Sequence, residues 1–342
     1  DCAFGVGAVG LKGFSDELSN EFNFIVVNDT VVDSSDSESE IHLKLNKNCG
    51  AEYVQKQKKA PLNFDAKLSP YMASVDGDAD RVVYFYVDNN NKGDFHLIDG
   101  DKIATLMARF IDEHLSASGL DLGLGVVQTA YANGASTQYL KQNVKQPENV
   151  CCVATGVKHL HHRAKDFDIG VYFEANGHGT VLFSEKAINL IEQTYEKGAG
   201  DENGRRSITI LKAMLDIINP AIGDAFSDLL LCEAILHMYD WSYENWDTLL
   251  YTDYPSVQSK KYINDHTFRS RMRTTPDETR LEEPKEMQDA LDALVAKTEG
   301  RRTFVRASGT EDVIRVYAES PSQADAEELA TSVEEVISQF FN

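Results

Sequence analysis

Short apolar, β-branched and aromatic runs set the rhythm of this chain. Tyr71-Met-Ala-Ser-Val75 and Val82-Val-Tyr-Phe-Tyr-Val87 read as two strands, and the Asp76-Gly-Asp78-Ala-Asp80-Arg81 segment between them reads as a tight loop. Helical periodicity follows: Ile103, Leu106, Met107, Phe110 and Ile111 recur at helix spacing behind Asp99-Gly-Asp101, a polar start that caps a helix. Leu122 to Val127 and Gly170 to Phe173 predict strands, and Lys186 to Tyr195 predicts a helix. Thr303 to Arg306 and Val313 to Ala318 predict two more strands around a Ser-Gly-Thr loop, with Arg315 on the face that Arg306 shares. The last helix, Gln323 to Phe341, should bury Leu329, Val333, Val336, Ile337 and Phe340.

Other stretches carry less. Asp33 to Glu40 has no apolar period and predicts a mobile surface loop, and Asn89 to Gly93 predicts a turn. Gly5-x-Gly7-x-x-Gly10 imitates a dinucleotide fingerprint, but only four residues precede the first Gly and no βαβ halves follow, so a glycine turn into a helix is the better reading. Phe268 to Arg273 reads as a charged strand face. At 342 residues the chain exceeds one ordinary core. The fold class expected is α/β: two mixed α/β domains, residues 1–95 and 96–235, then a small α+β domain, residues 236–342.

Composition narrows the partners. With 55 acidic against 33 basic residues, a formal charge of -22 argues against nucleic acid and against an anionic membrane surface. No apolar run approaches the roughly 18 residues of a membrane helix. Five cysteines without a Cys-x-x-Cys pair suggest reduced thiols and a cytoplasmic protein. The chain opens on Asp1, without an initiator Met, as a cut N-terminus would.

The chemistry concentrates at Asp76, Asp78 and Asp80. Carboxylates at alternate positions, separated by Gly77 and Ala79, converge on a point where their repulsion calls for a hard cation, and Mg2+ suits few carboxylates with room for water and a phosphate oxygen. An EF-hand fails, because Arg81 stands where it needs Gly and Val87 where it needs Glu; a haloacid-type phosphatase loop would carry Thr or Val in place of Asp80; a polar surface turn is the plain alternative. Arg306, Ser308, Gly309, Thr310 and Arg315 form a second set, combining guanidinium forks, hydroxyls and free N–H groups suited to a phosphate, against the alternative of a polar hairpin tip. Glu174 and His178 offer a hydroxyl acceptor and a proton carrier. His159, His161 and His162 lack the Cys or spaced partner a zinc site needs.

The Asp76–Arg81 loop, Glu174-Ala-Asn176-Gly177-His178-Gly179 and Arg306-Ala-Ser308-Gly309-Thr310-Glu-Asp312 resemble, in order and spacing, the metal, sugar and phosphate loops of the α-D-phosphohexomutases. The Ala-Asn form of the sugar loop and Thr155-Gly-Val-Lys158-His159-Leu-His161-His162 are similar to the eukaryotic phosphoacetylglucosamine mutase branch. The resemblance implies interconversion of N-acetylglucosamine 6-phosphate and 1-phosphate through a bisphosphate, with N-acetylhexosamine phosphates as partners and Mg2+ as cofactor. It places Mg2+ on Asp76, Asp78 and Asp80, and catalytic roles on Arg81, His178 and Lys158. It places the substrate on Thr155, His159, Glu174, Asn176, Gly177, Arg306, Ser308, Gly309, Thr310 and Arg315. Ala307 departs from the Pro common there, which removes stiffness rather than chemistry. No Thr-Ala-Ser-His-Asn-like segment occurs, so a phosphoserine domain N-terminal to this chain is expected to be missing, which would leave the chain inactive by itself. A non-catalytic sugar-phosphate-binding fragment, another hexose-phosphate mutase and a metal-dependent phosphatase are the competing readings.

Overall fold

Hydrophobic patterning and local capping account for most elements of the computed structural model, which describes residues 1–15, 18–19, 23–30, 44–88, 93–198, 200–264, 267–309 and 311–341. The stretch Asp33–Glu40, most of the expected turn at 89–93, and Thr310 lie outside the described residues. The N-terminal glycines do lead into a helix, α1 (Gly7–Ser15), and α2 (Gly50–Gln57) follows. Strands β1 (Tyr71–Val75), β2 (Val82–Val87) and β3 (Phe95–Ile98) form an antiparallel sheet with β2 central.

Asp99 caps the long helix α3 (Gly100–Ser118) by accepting the Asp101 N–H. A second sheet is ordered β5-β4-β6-β7, from β4 (Leu124–Thr129), β5 (Val150–Val153), β6 (Ile169–Phe173) and β7 (Gly179–Phe183), parallel except for β7. Helices α4 (Gly134–Asn143), α5 (Val157–Ala164) and α6 (Glu185–Lys197) interleave with it, and α7 (Glu202–Ile217), α8 (Ala225–Tyr239) and α9 (Tyr243–Leu250) follow. The third sheet, antiparallel β11-β12-β8, is built from β8 (Ser256–Tyr262), β11 (Arg302–Ala307) and β12 (Val313–Glu319). The short helix α10 (Phe268–Arg271), the ribbon of β9 (Arg273–Thr274) and β10 (Leu281–Glu283), and helices α11 (Lys285–Val295) and α12 (Gln323–Phe340) complete it.

Two large cores result. One runs from Val75, Val82 and Tyr84 through the buried stripe of α3 to Leu231, Ile235 and Trp246, so the first two sheets share one interior. The other lies between the third sheet and α11 and α12, around Val316, Leu329, Val333 and Ile337. The domain limits expected at 95/96 and 235/236 fall inside β3 and α8, and both elements hold together as single hydrogen-bonded units across them. Two local readings change. Phe268–Arg271 is helical, with Phe268 driven into the second core, instead of a strand face. At the C-terminus Phe341 is buried and Phe340 only half-buried, because α12 ends at Phe340 and the chain turns Phe341 inward.

Candidate active site

The carboxylate loop is a tight hairpin tip. Ala79 takes a left-handed φ of 60°, its N–H returns to the Asp76 carbonyl, and Asp76 Oδ1 accepts the N–H groups of Asp80 and Arg81, each at 3.2 Å. Oxygens of Asp76, Asp78 and Asp80 come within 4.8 Å of one another. Burial pushes the Asp76 carboxyl up to about 6 against the pull of Arg81, and the charges of Asp80 and Asp78 add to the rise. Asp80 Oδ1 is buried without a hydrogen-bond partner. An orphaned carboxylate oxygen inside a cluster of three fits a bound divalent cation. Arg81 Nε donates to Asp76 Oδ2 at 2.7 Å, and its guanidinium reaches Glu52 on α2 at 4.0 Å.

The N-terminal glycine segment supports this tip. Val6 donates its N–H to the Gly77 carbonyl at 3.0 Å, and a Cβ on Gly5 would lie 2.2 Å from that oxygen, so only glycine allows the approach.

The sugar-type loop is the hairpin joining β6 to antiparallel β7. Gly177, at φ 89°, lies so close to β2 that a Cβ would meet the Val82 carbonyl at 2.0 Å, and Val82 N–H donates to the Gly177 carbonyl. Arg81 and His178 form a single antiparallel backbone pairing. His178 Nδ1 then stands 3.4 Å from Asp80 Oδ2, while the His178 backbone N–H donates to Asn176 Oδ1 at 3.0 Å. Glu174 and Asn176 are half-buried beside it, with Asn176 Nδ2 3.4 Å from Glu174 Oε2. Carboxylate cluster and sugar-type loop are thus one continuous surface.

On the third sheet Arg306 and Arg315 are direct cross-strand partners. Arg306 Nε donates to the Tyr131 hydroxyl at 3.2 Å and lies 3.7 Å from Glu278. Arg315 donates to Glu311, and its Nε is buried without a partner. Ser308 is buried, accepts the Glu311 N–H on its hydroxyl, and Gly309 is exposed. Thr155 meets Glu278 through both its N–H and its hydroxyl, at 3.0 and 2.6 Å. Lys158 and His159, exposed on the first turn of α5, line a separate hollow of about 790 Å3 with Thr275, Asp277 and Arg280, which no residue of the carboxylate or sugar-type loops borders.

Sequence reasoning missed several contributors. Arg269 fastens the phosphate-type loop by donating to the Ser308 carbonyl at 2.9 Å and pairing with Asp312 at 3.0 Å. Ala225 N–H donates to the Ala79 carbonyl at 3.1 Å, and Gly223 packs against His178. Glu278 carries no motif, and its partners are remote in the chain.

The chain also matches known proteins over most of its length. A family model of phosphoacetylglucosamine mutase AMG1, domain III, matches residues 99–241, and one of the phosphoglucomutase/phosphomannomutase C-terminal domain matches residues 271–336. The phosphoacetylglucosamine mutase of Sus scrofa is 46% identical over 333 residues, 97% of this chain and 58% of that protein. Over nearly all of its own length the chain is similar to the phosphoacetylglucosamine mutases. The Candida albicans member is 43% identical over 98% of this chain and 59% of its own length, so the chain spans less than two thirds of such relatives. Among solved structures, Aspergillus fumigatus N-acetylphosphoglucosamine mutase in complex with GlcNAc-6P and magnesium superimposes with a TM-score of 0.88 at 43% identity, covering 98% of this chain and 64% of that one. An N-acetylglucosamine-phosphate mutase of the α-D-phosphohexomutase superfamily, in its substrate complex, gives 0.86 at 42% identity, with 98% and 60% covered.

Proposed function

We propose that these residues supply the metal, sugar and phosphate sites of a phosphoacetylglucosamine mutase, which interconverts N-acetylglucosamine 6-phosphate and 1-phosphate through a bisphosphate. The observation that carries the reading is the contact of His178 with Asp80, with the Arg81–His178 backbone pairing beneath it, because it sets a proton-carrying side chain of the sugar-type loop against the carboxylate cluster. Asp76, Asp78 and Asp80 would hold Mg2+, which when bound supplies charge neutralisation to a phosphoryl in transfer. Arg81, held by Asp76, steadies the transferring group; Glu174, Asn176 and Gly177 take sugar hydroxyls; His178 moves a proton. Arg306, Ser308, Gly309, Thr310 and Arg315 grip the phosphate that is not reacting, with Thr155 as a further substrate contact; Lys158 and His159, which line a separate hollow, would select the sugar end presented only if their loop moves toward the carboxylate cluster. The phosphoryl-carrying serine is proposed to lie in sequence outside these 342 residues, and the protein to work in the cytoplasm; among the described residues no helix is long and apolar enough to cross a membrane.

Calorimetry tests the reading. Asp78→Asn should abolish measurable Mg2+ binding, and Arg306→Ala should weaken N-acetylglucosamine 6-phosphate about ten- to a hundredfold while sparing the free sugar, the loss of a charge-assisted contact of about 1.5–3 kcal/mol. Unchanged affinities in both variants would refute it. Mutase turnover should appear only when the serine-bearing polypeptide is supplied with Mg2+ and a bisphosphate primer. Release of phosphate from a simple aryl phosphate would instead mark a phosphatase.

A further inference from the structure

The row of cations on the third sheet has three members. Lys260 on β8 is the cross-strand partner of Arg315 on β12, which is the partner of Arg306 on β11. Partners in register project to one face, and neighbouring strands lie about 4.8 Å apart, so the three side chains leave the sheet in a line about 10 Å long. In a chain of formal charge -22, a line of three cations on one face calls for an anion.

The chain's own Glu311 fills that place on Lys260 and Arg315, while Arg306 lies 3.7 Å from Glu278. Both carboxylate oxygens of Glu311 accept from Lys260 Nζ at 2.9 Å, and Oε2 also accepts from Arg315 at 3.1 Å. One carboxylate does not use the donors up, since Arg315 Nε stays buried and without a partner. Lys260 and Arg315 face a cleft of about 870 Å3 whose wall includes Tyr131 and, from the sugar-type loop, Ala175. The Glu311 backbone is held separately, its carbonyl by Arg269 and its N–H by Ser308, which leaves the carboxylate free to swing without moving the loop.

We infer that Lys260 is a third phosphate-binding cation beside Arg306 and Arg315, and that the Glu311 carboxylate stands in for the substrate phosphate and is displaced by it. The inference rests on the sugar-phosphate reading of this site. A phosphate dianion brings three acceptor oxygens and nearly two charges where Glu311 brings two oxygens and one, and so matches three cations better. The competing account is a surface ion pair: the side chains of Lys260 and Glu311 are 44% and 41% exposed, and exposed pairs contribute little.

Opposite signs separate the two accounts. The 342-residue chain is titrated with N-acetylglucosamine 6-phosphate and with unphosphorylated N-acetylglucosamine at fixed ionic strength. Lys260→Gln should weaken the sugar phosphate about tenfold and leave the free sugar unchanged, one charge-assisted contact being lost. Glu311→Gln should tighten the sugar phosphate severalfold, since a competing charge is gone, and Lys260→Arg should keep most of the affinity. A structural ion pair makes Lys260→Gln and Glu311→Gln act alike, so shifts of the same sign, or no shift, overturn the inference. Where Lys260→Gln fails to fold by thermal unfolding, Glu311→Gln decides alone, and absence of tightening overturns it. Arg306→Ala in the same series isolates the broader reading: if that variant binds normally, the site is not a phosphate site at all, whereas its loss beside normal Lys260→Gln binding removes only Lys260.

Discussion

Asp101 caps nothing it can reach from solvent. Its carboxylate, 2% exposed, accepts the Asn133 N–H at 2.8 Å where α4 begins. Burial drives its pKa well above the ordinary carboxyl range, the charges of Asp99 and Asp253 add to the rise, and the Asn133 hydrogen bond and Arg302 oppose it. A group that holds its proton more tightly when folded contributes stability fully below its unfolded value, about 3.9, and loses it as pH rises through the higher folded value. Stability should therefore fall as pH climbs above about 4. Asp101→Asn keeps an acceptor for Asn133 and removes the titration, so urea unfolding at pH 5 and pH 8 should give a smaller difference for the variant than for the parent chain. Equal differences would show that folding does not raise the Asp101 pKa. The same contrast explains what could be read in advance: Asp76, Asp78 and Asp80 announce themselves by spacing, whereas nothing local to Asp101 tells that it will be buried, and its sequence signal is only that of a helix start.

At the level of elements, the strands flanking each loop were legible because alternation and β-branching are local properties: β1 and β2 match the expected runs, β11 extends its run by a residue at each end, and β12 extends its run by one residue at the C-terminal end. The segment 219–225, which leads from α7 into the first residue of α8, was not legible, since Asn-Pro-Ala-Ile-Gly-Asp-Ala carries no period and no reactive set. Its role comes from contacts across the chain, where Ala225 holds the carboxylate hairpin and Gly223 backs His178. A Cβ at Gly223 would lie 2.8 Å from the Gly179 carbonyl and 3.0 Å from His178 Cδ2, too close on both sides. Gly223→Ala should therefore displace the imidazole and weaken N-acetylglucosamine 6-phosphate binding roughly tenfold, about 1.4 kcal/mol, with a smaller relative change in Mg2+ affinity. Calorimetry showing both ligands bound as before would mean that the loop yields without moving His178.

For the whole molecule, the question is how the C-terminal unit is held against the larger core, because the cation row faces the sugar-type loop only if that docking persists. Arg302 provides one polar link, beside those of Thr155 to Glu278 and Arg306 to Tyr131. Its guanidinium donates to the Ala130 carbonyl at 2.9 Å and the Ala132 carbonyl at 2.6 Å, and pairs with Glu319 at 3.0 Å. Glu319, 2% exposed, also accepts the Gly134 N–H at the start of α4 at 2.9 Å, so both units share one buried carboxylate. Phe304 meets Tyr131 edge-on beside this link, at 5.0 Å between ring centres. Arg302→Ala strips Glu319 of its cation and the two carbonyls of a donor, a loss of about 1.5–3 kcal/mol for bonds to a charged group. The remaining apolar contact between the units is a small cluster around Ala130, Phe304 and Tyr317, whereas each unit keeps its own large core. Cooperativity should therefore break before either core does. Both tryptophans, Trp241 and Trp246, belong to the larger unit, so their fluorescence reports that unit while far-ultraviolet circular dichroism reports both. In urea the parent chain should give coincident transitions by the two probes. In Arg302→Ala the dichroism change should begin at lower urea than the fluorescence change, as the smaller unit unfolds first. Coincident curves in the variant would show that the remaining contacts, Thr155 and Arg306 with their partners and the apolar cluster, couple the units without Arg302.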